Sequence, residues 1–245
     1  MVSPDAAETT GEAAPFPPSG VRIVVFDVVG TLVEPSPPVA EAYARAAARH
    51  GVAGEPAEIG LRFRAAWRRQ EAVDAAATPA FATSRDREER RWRQIVADVF
   101  GVAPPAAGIF ADLWEHFGRA DAWRPIEAGR ELVRSAVAAG ATVALASNFD
   151  QRLLEIAARL EPLSWATHVF PASEIGWRKP SPEFFRWIER RLAARPAELL
   201  LVGDDPDLDV AAARRAGWHA RGVAAAVSGS AATTPPAGCR RRRRR

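Results

Sequence analysis

The chain has 245 residues, 48% of them hydrophobic, which is enough for one sizeable core or a core with a smaller inserted domain. No apolar run approaches the roughly 18 residues that cross a bilayer as a helix, and the acidic, Pro-rich start lacks the basic head and apolar centre of a signal peptide. The formal charge of +3 comes from Arg240–Arg245: without these six, 27 basic side chains face 30 acidic ones and the body stands at −3. The arginine run could hold nucleic acid or acidic lipid through phosphate contacts, but a solvated end is the plainer expectation and no other feature asks for a nucleic-acid or membrane partner. Cys239 is the single cysteine, so no intrachain disulfide can form. A cytoplasmic protein is expected.

In chain order, residues 1–19 read as a disordered leader. A first core segment, 20–36, holds "VRIVVFD", a β-branched apolar run suited to a buried parallel strand and ending on Asp27. Residues 37–124 read as helices throughout: "VAEAYARAAARHG", "EPAEIGLRFRAAWRRQEAV", "SRDREERRWRQIVADVFG" and "AAGIFADLWEHFG", with apolar residues at helical spacing and Gly stops. No strand is expected there. From 125 to 225 helices alternate with strands, the strands being "ATVALAS", "THVFPAS", "ELLLVGD" and "WHARGVA", as in an α/β protein. Residues 226–245 read as a low-complexity, Arg-rich disordered tail. The whole predicts a Rossmann-like parallel sheet interrupted after its first strand by an α-helical domain.

In such sheets chemistry gathers at the carboxyl ends of the strands. The first strand ends on Asp27, followed by Gly30 and Thr31; the next on Ser147 and Asn148. Lys179 follows the third, and Asp204, Asp205 and Asp209 the fourth. Together these make an acidic cluster with one ammonium and two hydroxyls. Crowded carboxylates repel unless a cation lies among them, and oxygen ligands on an open sheet edge suit Mg²⁺. Each residue alone has a plain structural reading as a turn former or helix cap; four in order, each at a strand end, are harder to assign to chance. The site expected from chemistry is one of Mg²⁺-assisted phosphoryl transfer, with Asp27 as a covalent nucleophile. Composition adds a separate sign. The chain has 32 Arg and one Lys, Lys179, so a lone lysine suggests a place where a compact ammonium is needed and a guanidinium will not fit.

"FDVVGTL", "LASNFD", "GWRKPSPEFF" and "VGDDPDLDVAAARRAGW" resemble, in order, the four motifs of the haloacid dehalogenase (HAD) superfamily of hydrolases. The helical insertion resembles the cap domain of its helical-cap subclass. "SNFDQRL", "SEIGWRKPSPEFF" and "REERRWRQIVADVFG" resemble the subfamily named after the rhythmically expressed gene two protein. The resemblance implies a phosphatase acting on a small phosphorylated metabolite. Asp27 would be nucleophile and Mg²⁺ ligand, the backbone carbonyl of Val29 a second ligand and Asp204 a third, with Asp205 and Asp209 in support. Thr31, Ser147, Asn148 and Lys179 would hold the phosphoryl group, and Lys179 would balance the charge.

Val29 departs from that pattern. The superfamily's phosphatases usually carry a second Asp there, which protonates the leaving group and then activates water. Valine can do neither, and a general acid–base group is worth about 10²–10⁴ in rate. Two alternatives follow: a 2-haloacid dehalogenase, whose halide leaves unprotonated, or a catalytically impaired binding or regulatory module. The carboxylate-rich "GDDPDLD" argues against the first. A phosphonate-cleaving relative would need a lysine before residue 179, and there is none.

Overall fold

The computed structural model describes residues 16–102 and 105–224; most of the expected leader and all of the expected tail lie outside the described residues. The first strand, β1 (Ile23–Phe26), is fully buried and is followed by a short strand, β2 (Val33–Pro35). Four helices come next: α1 (Val39–Arg49), α2 (Pro56–Ala76), α3 (Arg85–Phe100) and α4 (Pro105–Phe117). Ser84 caps α3 by accepting from Arg87 N–H, and Pro56 opens α2 at the position where a missing N–H costs nothing. The chain then returns through β3 (Trp123–Pro125) to α5 (Glu127–Ala138), β4 (Thr142–Ser147), α6 (Leu153–Arg159), β5 (His168–Pro171), the short α7 (Ala172–Ile175) and α8 (Pro182–Leu192). β6 (Leu199–Gly203) leads into a wide π-helical turn, Pro206–Ala211, then the short α9 (Ala212–Arg215) and β7 (His219–Gly222).

The sheet is parallel throughout, in the order β5-β4-β1-β6-β7. Side chains of a strand alternate between its faces, and the packing follows that period. Val24 and Phe26 join Val143, Leu145, Leu200 and Val202 against Val133 of α5 and Leu153 and Ile156 of α6. Ile23 and Val25 join Ala144, Leu199 and Leu201 on the opposite face, against Phe184, Phe185 and Ile188 of α8. The helices α1–α4 bury a core of their own, built on Tyr43, Ile59, Ile95, Val99, Ile109 and Leu113. Trp67 and Trp92 pack against that core with ring centroids 5.5 Å apart, and Trp114 beside Phe110, which is the packing role expected of most aromatics. Among the described residues no helix is long and apolar enough to cross a membrane.

Two local features differ from the sequence expectation. β2 and β3 pair antiparallel, Val33 opposite Pro125 and Pro35 opposite Trp123, where neither strand is expected. The ribbon is three residues long and carries a proline on each strand, so it has neither the length nor the alternation of a recognisable strand. It spans the two points where the chain passes between sheet and helices. The second difference is "DLDVAAARRAG", which begins as a π-helical turn rather than an α-helix: Asp205 O accepts from both Asp209 N–H and Val210 N–H.

Candidate active site

β1 lies at the centre of the sheet, and the chain runs first to β4 and β5 on one side and then to β6 and β7 on the other. That reversal makes the carboxyl ends of β1, β4 and β6 a topological switch point, the place where open α/β sheets bind ligands. Phe26 pairs in register with Leu145 on one side and Val202 on the other. Asp27 therefore stands one residue beyond that row, and Ser147 and Asp204 two residues beyond it.

Asp27, Asp204 and Asp209 each bring a carboxylate oxygen within 4.8 Å of the others. Lys179 is buried among them: its Nζ donates to Asp27 Oδ1 at 2.7 Å and also to Asp209 Oδ1. Asp209 Oδ2 accepts from Asp205 N–H at 3.1 Å, so both Asp209 oxygens are engaged. Thr31 Oγ1 donates to Asp204 Oδ1 at 3.0 Å. Two glycines make this crowding possible. Gly30 has φ +90° and a Cβ there would lie 2.5 Å from Asp204; a Cβ on Gly203 would collide with the Asp209 carboxylate. The wide turn after Pro206 is what brings Asp209 back over Gly203.

Electrostatically the cluster is overloaded. Burial pushes the Asp27 carboxyl up to about 7; the Lys179 ammonium opposes this, and Asp209 and Asp204 add to it. Asp204 is raised as well, by burial first and by Asp209 next. Burial works against the Lys179 ammonium, but Asp209 and Asp27 outweigh it and hold its pKa above the ordinary lysine value. When ionised, three carboxylates around one ammonium leave an excess of negative charge that a divalent cation could balance. The main chain suits the same ion. The turn after β1 closes through Val33 N–H to Val28 O and Gly30 N–H to Val33 O, which leaves the Val29 carbonyl out of its hydrogen bonds. The Val29 side chain packs instead on the sheet core.

Of the residues singled out from sequence, Asp27, Thr31, Lys179, Asp204 and Asp209 meet in this cluster, and Ser147 lies buried at the end of β4. Asp205 does not join them: its Oδ1 accepts from Asp207 and Leu208 N–H and caps the following turn. Asn148 is committed elsewhere too. Its Oδ1 accepts from Lys179 N–H at 2.7 Å and its Nδ2 donates to Lys179 O at 3.0 Å, so it grips the lysine's main chain.

Sequence reasoning passed over Arg178. Its guanidinium is 1% exposed and donates to both oxygens of Glu88 on α3, at 2.8 and 3.0 Å, and to Glu71 on α2 at 3.1 Å. Arg91 completes the group through Asp74 at 2.9 Å and Glu71. In a chain where arginine is the default cation, one more beside the lysine carries no signal.

The sequence pattern of the haloacid dehalogenase-like hydrolase family matches residues 21–217. The chain is 31% identical over 205 residues to mouse haloacid dehalogenase-like hydrolase domain-containing protein 3, covering 81% of this chain and 80% of that one. It is 24% identical over 217 residues to the rhythmically expressed gene 2 protein of Drosophila melanogaster, covering 82% of each. Among solved structures, a defluorinating L-2-haloacid dehalogenase superposes with a TM-score of 0.64 at 22% identity, over 82% of this chain and 80% of that one, a likeness of fold.

Proposed function

The chain belongs to the haloacid dehalogenase-like hydrolases, and from that premise we propose that it is a Mg²⁺-dependent phosphatase for a small phosphorylated metabolite, with α1–α4 as a cap over the site. One observation carries the reading: Asp27, Asp204 and Asp209 converge on a single ammonium, Lys179, and leave uncompensated negative charge. A site built for halide displacement needs one carboxylate nucleophile and no such surplus. Asp27, Asp204 and the Val29 carbonyl are the groups that would hold Mg²⁺, with Asp209 behind them. When bound, the ion supplies charge neutralisation that lets an anionic phosphoryl group approach an anionic nucleophile.

The roles of the chain's own groups follow. Lys179 fixes Asp27 through Oδ1, so the other carboxylate oxygen is the attacking atom. It forms a bond to phosphorus as the ester P–O bond breaks, leaving a phosphoaspartate at Asp27. Thr31, Ser147 and Lys179 hold the phosphoryl oxygens. Water then attacks phosphorus, the acyl P–O bond breaks, and inorganic phosphate leaves with Asp27 restored. Val29 has no proton to give the departing oxygen and cannot deprotonate the water. Aryl or acyl phosphates, whose leaving groups depart without a proton, are therefore the better substrates.

The test is hydrolysis of an aryl phosphate in Mg²⁺. The expected result is activity that EDTA removes, that Asp27→Asn reduces to background and that Lys179→Arg lowers by about 10²–10³. Turnover that survives Asp27→Asn overturns the mechanism. Halide release from a 2-halo acid without metal would establish the dehalogenase reading instead, and phosphate binding without turnover on a broad panel the non-catalytic one.

A further inference from the structure

The loop that carries Lys179 is joined to the helical block by more than contact. Between α2 and α3, residues 77–84 lie alongside residues 176–178: Thr83 N–H donates to Gly176 O and Arg178 N–H to Phe81 O, both at 2.9 Å, around an antiparallel bridge of Ala82 with Trp177. Phe81 holds a left-handed backbone, φ 60°, a conformation unfavourable for a non-glycine residue. It is pinned there from both sides, its N–H donating to Asp74 O and its carbonyl accepting from Arg178.

Arg178 then enters the helical block as a buried cation. Three acidic side chains receive it: Glu88 at 2.8 Å, Glu71 at 3.1 Å and Asp74 at 3.7 Å. Thr83 Oγ1 donates to Glu88 Oε1 at 2.7 Å. Arg91 lies on the far side of the acids and stacks over Trp67 at 4.4 Å, and Arg87 reaches Asp74 at 3.4 Å. In the other direction Arg178 Nη1 reaches the Asn148 carbonyl at 3.4 Å, and the side chain of Asn148 grips both main-chain groups of Lys179. The path from helical block to ammonium is therefore Glu88, Arg178, Asn148, Lys179.

We propose that Arg178, paired with Glu88, is a positioning residue: it makes the seating of the helical block on the sheet set the place of the Lys179 ammonium between Asp27 and Asp209. This rests on the reading of Lys179 as part of a phosphatase site, and adds that the helical block does more than cover that site. With Arg178 unpaired, the 176–181 loop loses its anchor and Lys179 drifts, though every group in the cluster is still present. Small displacements of catalytic groups are costly; about 1 Å of misplacement is worth up to 10²-fold in rate.

Lys179 is the only lysine in the chain, so its amine can be followed directly. The experiment is the labelling rate of Lys179 by an acetylating N-hydroxysuccinimide ester on the full-length folded protein, read by peptide mass, beside kcat and KM on an aryl phosphate. Arg178→Gln and Glu88→Gln should each raise labelling about tenfold and lower kcat at least as much, with KM nearly unchanged. Val133→Ala, in the sheet core and remote from the loop, serves as the stability control and should leave both readouts alone. If Arg178→Gln does not fold, Glu88→Gln and Thr83→Val carry the comparison. Unchanged labelling in the folded variants, or an equal rise in Val133→Ala, overturns the proposal. If the wild-type chain hydrolyses no phosphate ester, the phosphatase reading falls and the labelling rates alone decide the positioning role.

Discussion

Two buried ionic clusters lie next to each other in this molecule, joined by consecutive residues, and they are built on opposite principles. At the sheet edge, Asp27, Asp204 and Asp209 share one ammonium, Lys179. Against the helical block, Glu71, Asp74 and Glu88 meet Arg91, Arg178 and the half-buried Arg87. The second cluster is charge-balanced and multiply hydrogen-bonded, as a structural joint between two packed units must be. With all its carboxylates ionised the first is in excess by two negative charges, and it is made possible only by glycines that let carboxylates approach one another. A surplus that folding does not neutralise is open to a cation. Adjacent in sequence, Arg178 and Lys179 therefore stand in opposite surroundings: one within a balanced set of ion pairs, the other among surplus carboxylates.

The largest effect should come from breaking the balanced cluster. Glu88→Ala leaves Arg178 buried without its main partner, and removing one side of a buried pair costs about 3–5 kcal/mol. Chemical denaturation should show that loss with or without Mg²⁺. A change below about 1 kcal/mol would mean the joint is hydrated and the contrast between the clusters false.

Adding a carboxylate is the converse operation. Val29→Asp places a carboxylate two residues after Asp27, at the position where a proton donor is missing. With Mg²⁺ it should raise the rate on an alkyl phosphate by up to about 10²-fold, and much less on an aryl phosphate. An equal gain on both esters, or none on either, would show that leaving-group protonation does not limit the reaction.

These two regions also differ in how far they can be read without a structure. The strand ends were legible because buried parallel strands are short β-branched runs, so Asp27, Ser147 and Asp204 fall at their ends by simple reading. Lys179 stood out by its place after the third strand and, separately, by composition. The division of labour within "GDDPDLD" was not legible: Asp205 and Asp209 look equivalent, and only the wide turn after Pro206 sends one to cap that turn and the other back to the lysine. The joint was hidden for a different reason. Glu71, Asp74, Glu88 and Arg91 sit on helices among many exposed charges and have the pattern of a solvated face; what buries them is a loop some 90 residues away in sequence. The β2–β3 ribbon was missed because three residues with a proline show no period.

Acid titration separates the clusters by the sign of the effect. Asp27 has a folded pKa of about 7 against an ordinary 3.8, so between those values the folded state holds a proton that the unfolded state releases. Its stability contribution is fully present below about pH 4 and is lost as pH climbs to about 7. Glu88 runs the other way. Burial alone would raise its pKa, but the Arg178 and Arg91 guanidiniums outweigh that and hold it below 4.5. Its contribution is present above pH 4.5 and is lost as pH falls through the lowered value. In EDTA, the Tm of the wild-type chain should therefore fall relative to Asp27→Asn as pH rises from 4 to 7, and excess Mg²⁺ should flatten that difference by holding Asp27 ionised. Glu88→Gln should leave this slope intact and instead remove part of the loss of Tm below pH 4.5. If Asp27→Asn and the wild-type chain run parallel from pH 4 to 7 without metal, the sheet-edge carboxylates are not in conflict, and the surplus charge that points to a bound cation is already compensated within the fold.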